Sequence, residues 1–96
     1  MNTVIVEFDV PEGETRDSIV ETIKGSANNY QGVPGLIRRY YGVSADNDKL
    51  AGVYLWESRE AADAFYTPDW YKMVEARWGA PTKWMTYDTP VVFDNL

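Results

Sequence analysis

The chain contains no cysteine and no histidine. The first absence excludes disulfides, thiol nucleophiles and thiolate metal sites. The second removes imidazole bases, His-ligated haem and the usual zinc ligands. Basic residues are also few: nine Lys and Arg stand against fifteen Asp and Glu, a formal net charge of −6. A chain with that balance lacks the basic patches that nucleic acid or an anionic membrane requires, so neither is an expected partner. No apolar run approaches the length of a membrane span, and Met1 to Val10 has no basic start followed by a long apolar segment. A cytoplasmic protein is expected. The acidic residues do not gather into a calcium-type loop; Asp46-Asn47-Asp48 comes nearest and reads as a hairpin turn. No metal and no cofactor are expected.

Aromatic residues, by contrast, are plentiful. Four Trp, seven Tyr and three Phe share 96 residues, more ring surface than one small core ordinarily holds. Part of it should line a pocket or a subunit interface. A single domain over residues 1–96 is expected, with no repeat or linker.

The stretch Gly52 to Tyr66 sets the organisation. Gly52, Tyr54 and Trp56 alternate with Ala51, Val53 and Leu55, as in a strand with two apolar faces. Ser58 then offers an N-cap, Glu60 suits the first turn, and Ala61, Ala62, Ala64 and Phe65 continue as a helix. The small aliphatic face suits a packed helix. The ring-bearing face suits a ligand cavity, a subunit interface or an ordinary core.

A first strand is expected over residues 3–10, with Val4, Val6, Phe8 and Val10 on its apolar face. Thr15 caps a helix over about residues 16–29, with Ile19, Val20, Ile23 and Ala27 as its buried stripe and Gly25 weakening its centre. Gly32, Pro34 and Gly35 punctuate the loop before a second strand, Leu36 to Val43. That strand carries Arg38-Arg39 and Tyr40-Tyr41, so each face receives one Arg and one Tyr and alternation does not decide which pair faces a cavity. It forms a hairpin with the strand at about 49–57. Thr67-Pro68-Asp69 opens a further helix, with Trp70, Met73, Val74 and Arg77 on one side and Gly79 and Pro81 at its end. Lys83 to Asp94 reads as a final strand. Pro90 within it implies an edge, a bulge or a split. Val91-Val92-Phe93 can serve as an arm on a partner subunit.

The order strand, helix, strand, strand, helix, strand is the ferredoxin-like α+β arrangement, an antiparallel sheet with helices on one face. Its bare face would be the one with Tyr54 and Trp56. A second copy laid against it would cover those rings and enclose a space, so a homodimer is expected.

Tyr54-Leu55-Trp56-Glu57-Ser58, Ala61-Ala62, Phe65, Pro34-Gly35-Leu36, Ala64-Phe65-Tyr66-Thr67-Pro68 and Asp88-Thr89-Pro90-Val91-Val92 together resemble the dimeric α+β barrel superfamily. More closely, they resemble its small monooxygenase-like proteins of the YdhR type, related to the antibiotic biosynthesis monooxygenases. The resemblance spans nearly the whole chain. It implies a cofactor-independent monooxygenase acting with O2 on a small aromatic or polyketide-like compound. A non-oxidative cyclase or isomerase in the same pocket, or a non-catalytic small-ligand-binding dimer, is the alternative. The superfamily's third-strand Trp corresponds to Trp56. Its frequent Asn on that strand is missing, with Gly52 in that neighbourhood, and the lack of His argues against haem degradation. Arg38, Tyr40 and Trp56 are the candidate catalytic residues, the first two as oxyanion stabiliser and hydrogen-bond donor. Tyr54, Arg39, Tyr41, Trp84 and Tyr30 are the candidate substrate-binding residues, with Tyr87 an alternative to Trp84 for stacking. Glu7 is a possible base only if buried. Trp70 and Trp78 read as packing.

Overall fold

The structure is a computed structural model that describes residues 1–26, 29–79 and 81–95. Four strands and three helices follow one another as β1 (Asn2–Asp9), α1 (Arg16–Gly25), β2 (Leu36–Val43), β3 (Lys49–Trp56), α2 (Arg59–Phe65), α3 (Pro68–Trp78) and β4 (Lys83–Asp88). The strands form one antiparallel sheet in the order β2-β3-β1-β4, and the helices lie on one side of it. This is the expected α+β, ferredoxin-like architecture.

Each helix begins where side-chain chemistry lets it. The Thr15 hydroxyl accepts from the Ser18 N–H while the Ser18 hydroxyl accepts from the Thr15 N–H, a reciprocal capping box. Ser58 and Thr67 accept from the Ala61 and Trp70 N–H groups, and Pro68 occupies the start of α3. At the other end of α3, Gly79 closes the helix in the left-handed region at φ 72°. α1 stops at Gly25, shorter than expected. Gly25 is therefore its last residue, where its lack of a side chain costs less than in the centre. Of its predicted stripe, Ile19 is fully buried and Ile23 packs against the core, while Ala27 lies outside the described residues.

Strand alternation decides two faces. Val4, Val6 and Phe8 of β1 and Leu50, Gly52, Tyr54 and Trp56 of β3 point toward the helices and are buried. The expected orientation of β3 is therefore reversed. Tyr54 and Trp56 lie beneath the chain's own helices, and Ala51, Val53 and Leu55 face outward. The reason is volume: large rings fill the space between the sheet and the helices, where small aliphatics would leave voids.

On the outer face the register sets Tyr40, Val53, Ile5 and Met85 in one cross-strand row, and Arg38, Leu55, Thr3 and Tyr87 in the next. No helix of the described residues covers these rows. β4 ends at Asp88 rather than Asp94. The Thr89-Pro90 pair cannot extend a ladder because proline has no N–H and restricts the residue before it. Residues 89–95 instead turn across the outer face. The Thr89 N–H donates to the Met1 carbonyl at 2.9 Å, the Thr3 and Thr89 hydroxyls are hydrogen-bonded, and Asp94 pairs with Arg38 at 3.4 Å. Phe93 on this tail is 91% exposed.

Candidate functional site

The side chains that β3 sends toward the helices line a recess between sheet and helices, open to solvent at its mouth, with an inner space of about 50 Å³. Gly52 makes the room for its floor. A Cβ there would stand 2.9 Å from the ring of Tyr54 and 3.2 Å from the ring of Tyr41, so only glycine lets both rings come this close to the strand. Val6 and Phe8 extend the floor, and Trp70, Val74 and Trp78 of α3 form the apolar wall. Phe8 and Trp78 meet at 5.2 Å between ring centroids.

Three tyrosines converge at one end. The Tyr41 and Tyr54 hydroxyls are 3.4 Å apart, and Arg39 donates from Nη1 to the Tyr41 hydroxyl at 3.2 Å. The same guanidinium lies 4.3 Å from the centre of the Tyr30 ring, a cation–π contact. Tyr30 packs at 5.8 Å on Tyr54 and 5.6 Å on Phe65. Burial pushes the Tyr54 hydroxyl far above its ordinary value, and the neighbouring Tyr30 and Tyr41 oxygens add to this. Tyr30 is likewise raised, mainly by burial and then by Tyr41. These hydroxyls therefore stay protonated near neutral pH and act as donors, not as bases.

Near them lies a donor without an acceptor. The Trp70 indole N–H is buried and reaches no hydrogen-bonding geometry, although it is close enough to the Tyr30 hydroxyl to oppose part of that upward shift. At the other end of α3, Arg77 lines the mouth, facing Thr22, Ser26 and Asn29 from the α1 side. Among the described residues, no Asp, Glu or Lys lines the recess. Its polar groups offer hydrogen bonds and one cation to a ligand, and no carboxylate to take a proton.

Of the residues singled out from sequence, Tyr30, Tyr41 and Tyr54 line the recess, and Arg39 adjoins it through Tyr30 and Tyr41. The structure thus separates the ambiguous pairs of β2: Arg39 and Tyr41 face the helices, while Arg38 and Tyr40 face outward. A bulge at Ile37, between Leu36 opposite Trp56 and Arg38 opposite Leu55, sets this parity. Arg38 and Tyr40 are therefore not brought together with the Tyr54 cluster. Trp56 lies just outside the recess, fully buried, its N–H donating to the Tyr66 hydroxyl at 3.2 Å. Trp84 packs at 4.6 Å against both Tyr66 and Tyr71, beyond Trp70. Tyr87 and Glu7 lie on the outer face; Glu7 pairs across the sheet with Ala51 and Lys83. Trp70 and Trp78 do pack, but they also line the recess. Their helical spacing with Val74 and Arg77 was the available signal for this wall.

No family model matches the sequence, and no curated protein matches it. Solved structures do. An antibiotic biosynthesis monooxygenase assigned in Deinococcus radiodurans superposes over 100% of this chain and 99% of its own, with a TM-score of 0.74 at 10% identity. The Streptomyces coelicolor monooxygenase from the ActVA-Orf6 gene, in complex with nanaomycin D, covers 99% of this chain and 92% of its own, with a TM-score of 0.72 at 21% identity. SnoaB, a cofactor-independent oxygenase from Streptomyces nogalater, covers 95% and 94%, with a TM-score of 0.69 at 14% identity. The chain has the fold of these proteins.

Proposed function

We propose that the chain is a cofactor-independent monooxygenase of a small aromatic or polyketide-like compound, working in the recess beneath its helices. The observation that carries this reading is the recess itself: a ring-walled space with buried hydroxyl donors at one end and no carboxylate among the described residues of its lining. The fold it shares with SnoaB and the ActVA-Orf6 monooxygenase supports the reaction class by analogy.

The chemistry suits such a lining. A hydroxyanthrone carries an acidic CH2 flanked by rings. Loss of one proton to solvent leaves a carbanion whose charge spreads onto the carbonyl oxygen. Donors such as Tyr54 and Tyr41 stabilise that oxygen, and Arg39 behind Tyr41 polarises its hydroxyl. The carbanion passes one electron to O2, the two radicals combine to a peroxide, and loss of water leaves a ketone. The former CH2 gains one oxygen atom, and the other leaves as water. With no carboxylate among the described lining residues to take the proton, the recess suits substrates acidic enough to ionise unaided, and the apolar wall keeps bulk water from the carbanion.

Two further elements of the proposal concern assembly and location. The outer rows of Tyr40, Val53, Ile5 and Met85 offer an apolar sheet face to a second copy, with the exposed Phe93 arm beside it. The described lining of the recess comes from one protomer, and dimerisation would cover the outer face. No helix of the described residues is long and apolar enough to cross a membrane, and the proposed location is the cytoplasm.

The absence of a base in the recess weighs against a proton-shuttling isomerase and leaves a ligand-binding dimer as the second reading. An oxygen electrode separates the two. In chelator-treated buffer without flavin, 1,8-dihydroxyanthrone should consume oxygen well above its spontaneous rate, one O2 per ketone formed. Rates equal to those with heat-denatured protein across a panel of anthrones and quinols would remove the monooxygenase reading.

A further inference from the structure

The rings beneath the helices are not one undivided cluster. Among the described residues Trp78 touches a single ring, Phe8. Trp70 instead belongs to a triangle. Tyr71 stands 5.5 Å and Trp84 6.1 Å from it, and Tyr71 and Trp84 stand 4.6 Å apart. Trp70 lines the recess, whereas Tyr71 and Trp84 are half-buried and reach solvent. Every corner of the triangle is a redox-active ring; Phe65, which also touches Trp70, lies off the route to the surface. The chain has no cysteine, so Trp and Tyr are the side chains that give up one electron most readily.

Proton chemistry gives the triangle a direction. An indole that loses an electron becomes acidic at its N–H, and loss of that proton traps the radical. The Trp70 N–H is buried with no acceptor in hydrogen-bonding geometry, and the neighbouring Tyr30 hydroxyl oxygen is a poor base. An electron hole on Trp70 therefore stays mobile. Tyr66 touches both indoles, at 5.0 and 4.6 Å, yet burial holds its proton in place and raises its hydroxyl far above the ordinary value. Tyr71 differs. Its hydroxyl is raised by burial and then by the Asp63 carboxylate, and its ring reaches water, so its proton has a base and solvent to go to.

We propose that Trp70, Trp84 and Tyr71 form a one-electron conduit that drains oxidising radicals from the recess to the protein surface. The oxidant is an organic peroxyl radical, formed when a carbon radical that escapes the proposed reaction adds O2. It takes one electron from Trp70 and one proton from water and becomes a hydroperoxide. Tyr71 returns an electron to Trp70, directly or through Trp84, and releases its phenolic proton, which leaves a neutral tyrosyl radical. A soluble thiol restores Tyr71 by giving it a hydrogen atom. The conduit goes beyond the monooxygenase reading and rests on it only for the source of the radical.

Peroxyl radicals from a water-soluble azo initiator supply the oxidant without turnover. Trp70 and Trp78 are a matched pair, 9% and 8% exposed. Peptide mapping of the intact chain at low conversion should find Trp70 oxidised several-fold less than Trp78. Tyr71→Phe keeps the ring and removes the proton-releasing hydroxyl; Trp70 oxidation should then rise to the Trp78 level, with Trp78 itself unchanged. Flash photolysis reads the transfer directly, because light ionises indoles whatever their burial. In the natural chain the indolyl signal should decay into a tyrosyl signal at a rate independent of protein concentration. Tyr71→Phe should lose that phase, while Tyr40→Phe and Tyr87→Phe should keep it although those rings are 59% and 54% exposed. Equal oxidation of Trp70 and Trp78 in the natural chain, Trp70 damage that Tyr71→Phe leaves unchanged or raises only together with Trp78, or a tyrosyl phase that survives Tyr71→Phe would overturn the proposal. Failed sparing refutes the conduit alone, and absent oxygen uptake refutes the monooxygenase reading alone.

Discussion

Replacing Gly52 by alanine is the smallest change that tests how the recess is made. Its Cβ would stand 2.9 Å from Cε2 and 3.1 Å from Oη of Tyr54, and 3.2 Å from Cε1 of Tyr41. The first distance is too short to persist, so a ring must move. Tyr54 has little freedom: its ring is held between Tyr30 at 5.8 Å and Tyr66 at 5.6 Å, with Tyr41 edge-on at 6.3 Å. Overpacking of this kind costs about 1–3 kcal/mol. The lower entropy of the unfolded alanine chain returns about 0.4–1 kcal/mol. A net loss of about 1–2 kcal/mol remains, which for a domain of this size lowers Tm by roughly 5–15 °C. Gly25→Ala is the control. Nothing lies within 4 Å of a Cβ there, so the helix gains from the better helix former, by less than the roughly 1 kcal/mol of a helix interior because Gly25 is its last residue. Paired melts by circular dichroism, with titration of 1,8-dihydroxyanthraquinone, read both effects. Gly52→Ala should melt lower and bind more weakly, and Gly25→Ala should melt higher with affinity unchanged. A Gly52→Ala chain that melts at or above the natural temperature and binds normally would refute the packing argument.

Other expectations follow from the same contacts. Trp56→Phe removes the indole donor to the Tyr66 hydroxyl and leaves a void at a fully buried position; chemical denaturation should show a loss of about 2–4 kcal/mol, part of it shared with Tyr66→Phe in a double-mutant cycle. Tyr54 and Tyr66 are raised above the ordinary tyrosine value of 10.0, mainly by burial. The unfolded chain therefore ionises first, the stabilisation is whole below pH 10, and it is lost as pH climbs beyond that point. Absorbance at 295 nm should show these two rings ionising together with loss of near-ultraviolet dichroism; separate, non-cooperative ionisation would count against their burial. Val53→Glu places a charge at the centre of the outer face beside Ile5 and Tyr40; sedimentation should find the natural chain dimeric and the variant monomeric, with the melt of each protomer's recess retained.

Much of the fold is legible in the sequence because its signals are local. Thr15, Ser58 and Thr67 cap the helices they precede, Gly79 ends α3, and the alternation in β1 and β3 marks buried and half-buried faces. What alternation does not report is which of two apolar faces receives the helices. In β3 the rule that small aliphatics pack under helices fails, because Tyr30 and the rings of Phe65 and Tyr66 at the end of α2 interlock with Tyr54 and Trp56. Gly52 held the clue. A glycine between two tyrosines on one face makes room for rings to lie over the strand, which only a covered face requires. The candidate site follows the same division. Tyr30, Tyr41 and Tyr54 were legible as ring-and-hydroxyl chemistry. The parity of Arg38 and Arg39 was not, because the bulge at Ile37 that sets it leaves no mark in the pattern of polar and apolar residues.

Where an aromatic ligand binds decides the proposed function most directly. A crystal structure of the chain grown with 1,8-dihydroxyanthraquinone, the stable ketone relative of the proposed substrate, reads this without turnover. The expected result is the ring system lying in the recess inside each protomer, with an oxygen within hydrogen-bonding distance of the Tyr54 or Tyr41 hydroxyl. Ring density on the outer sheet face between two copies, or a recess left unchanged at saturating ligand, would contradict it.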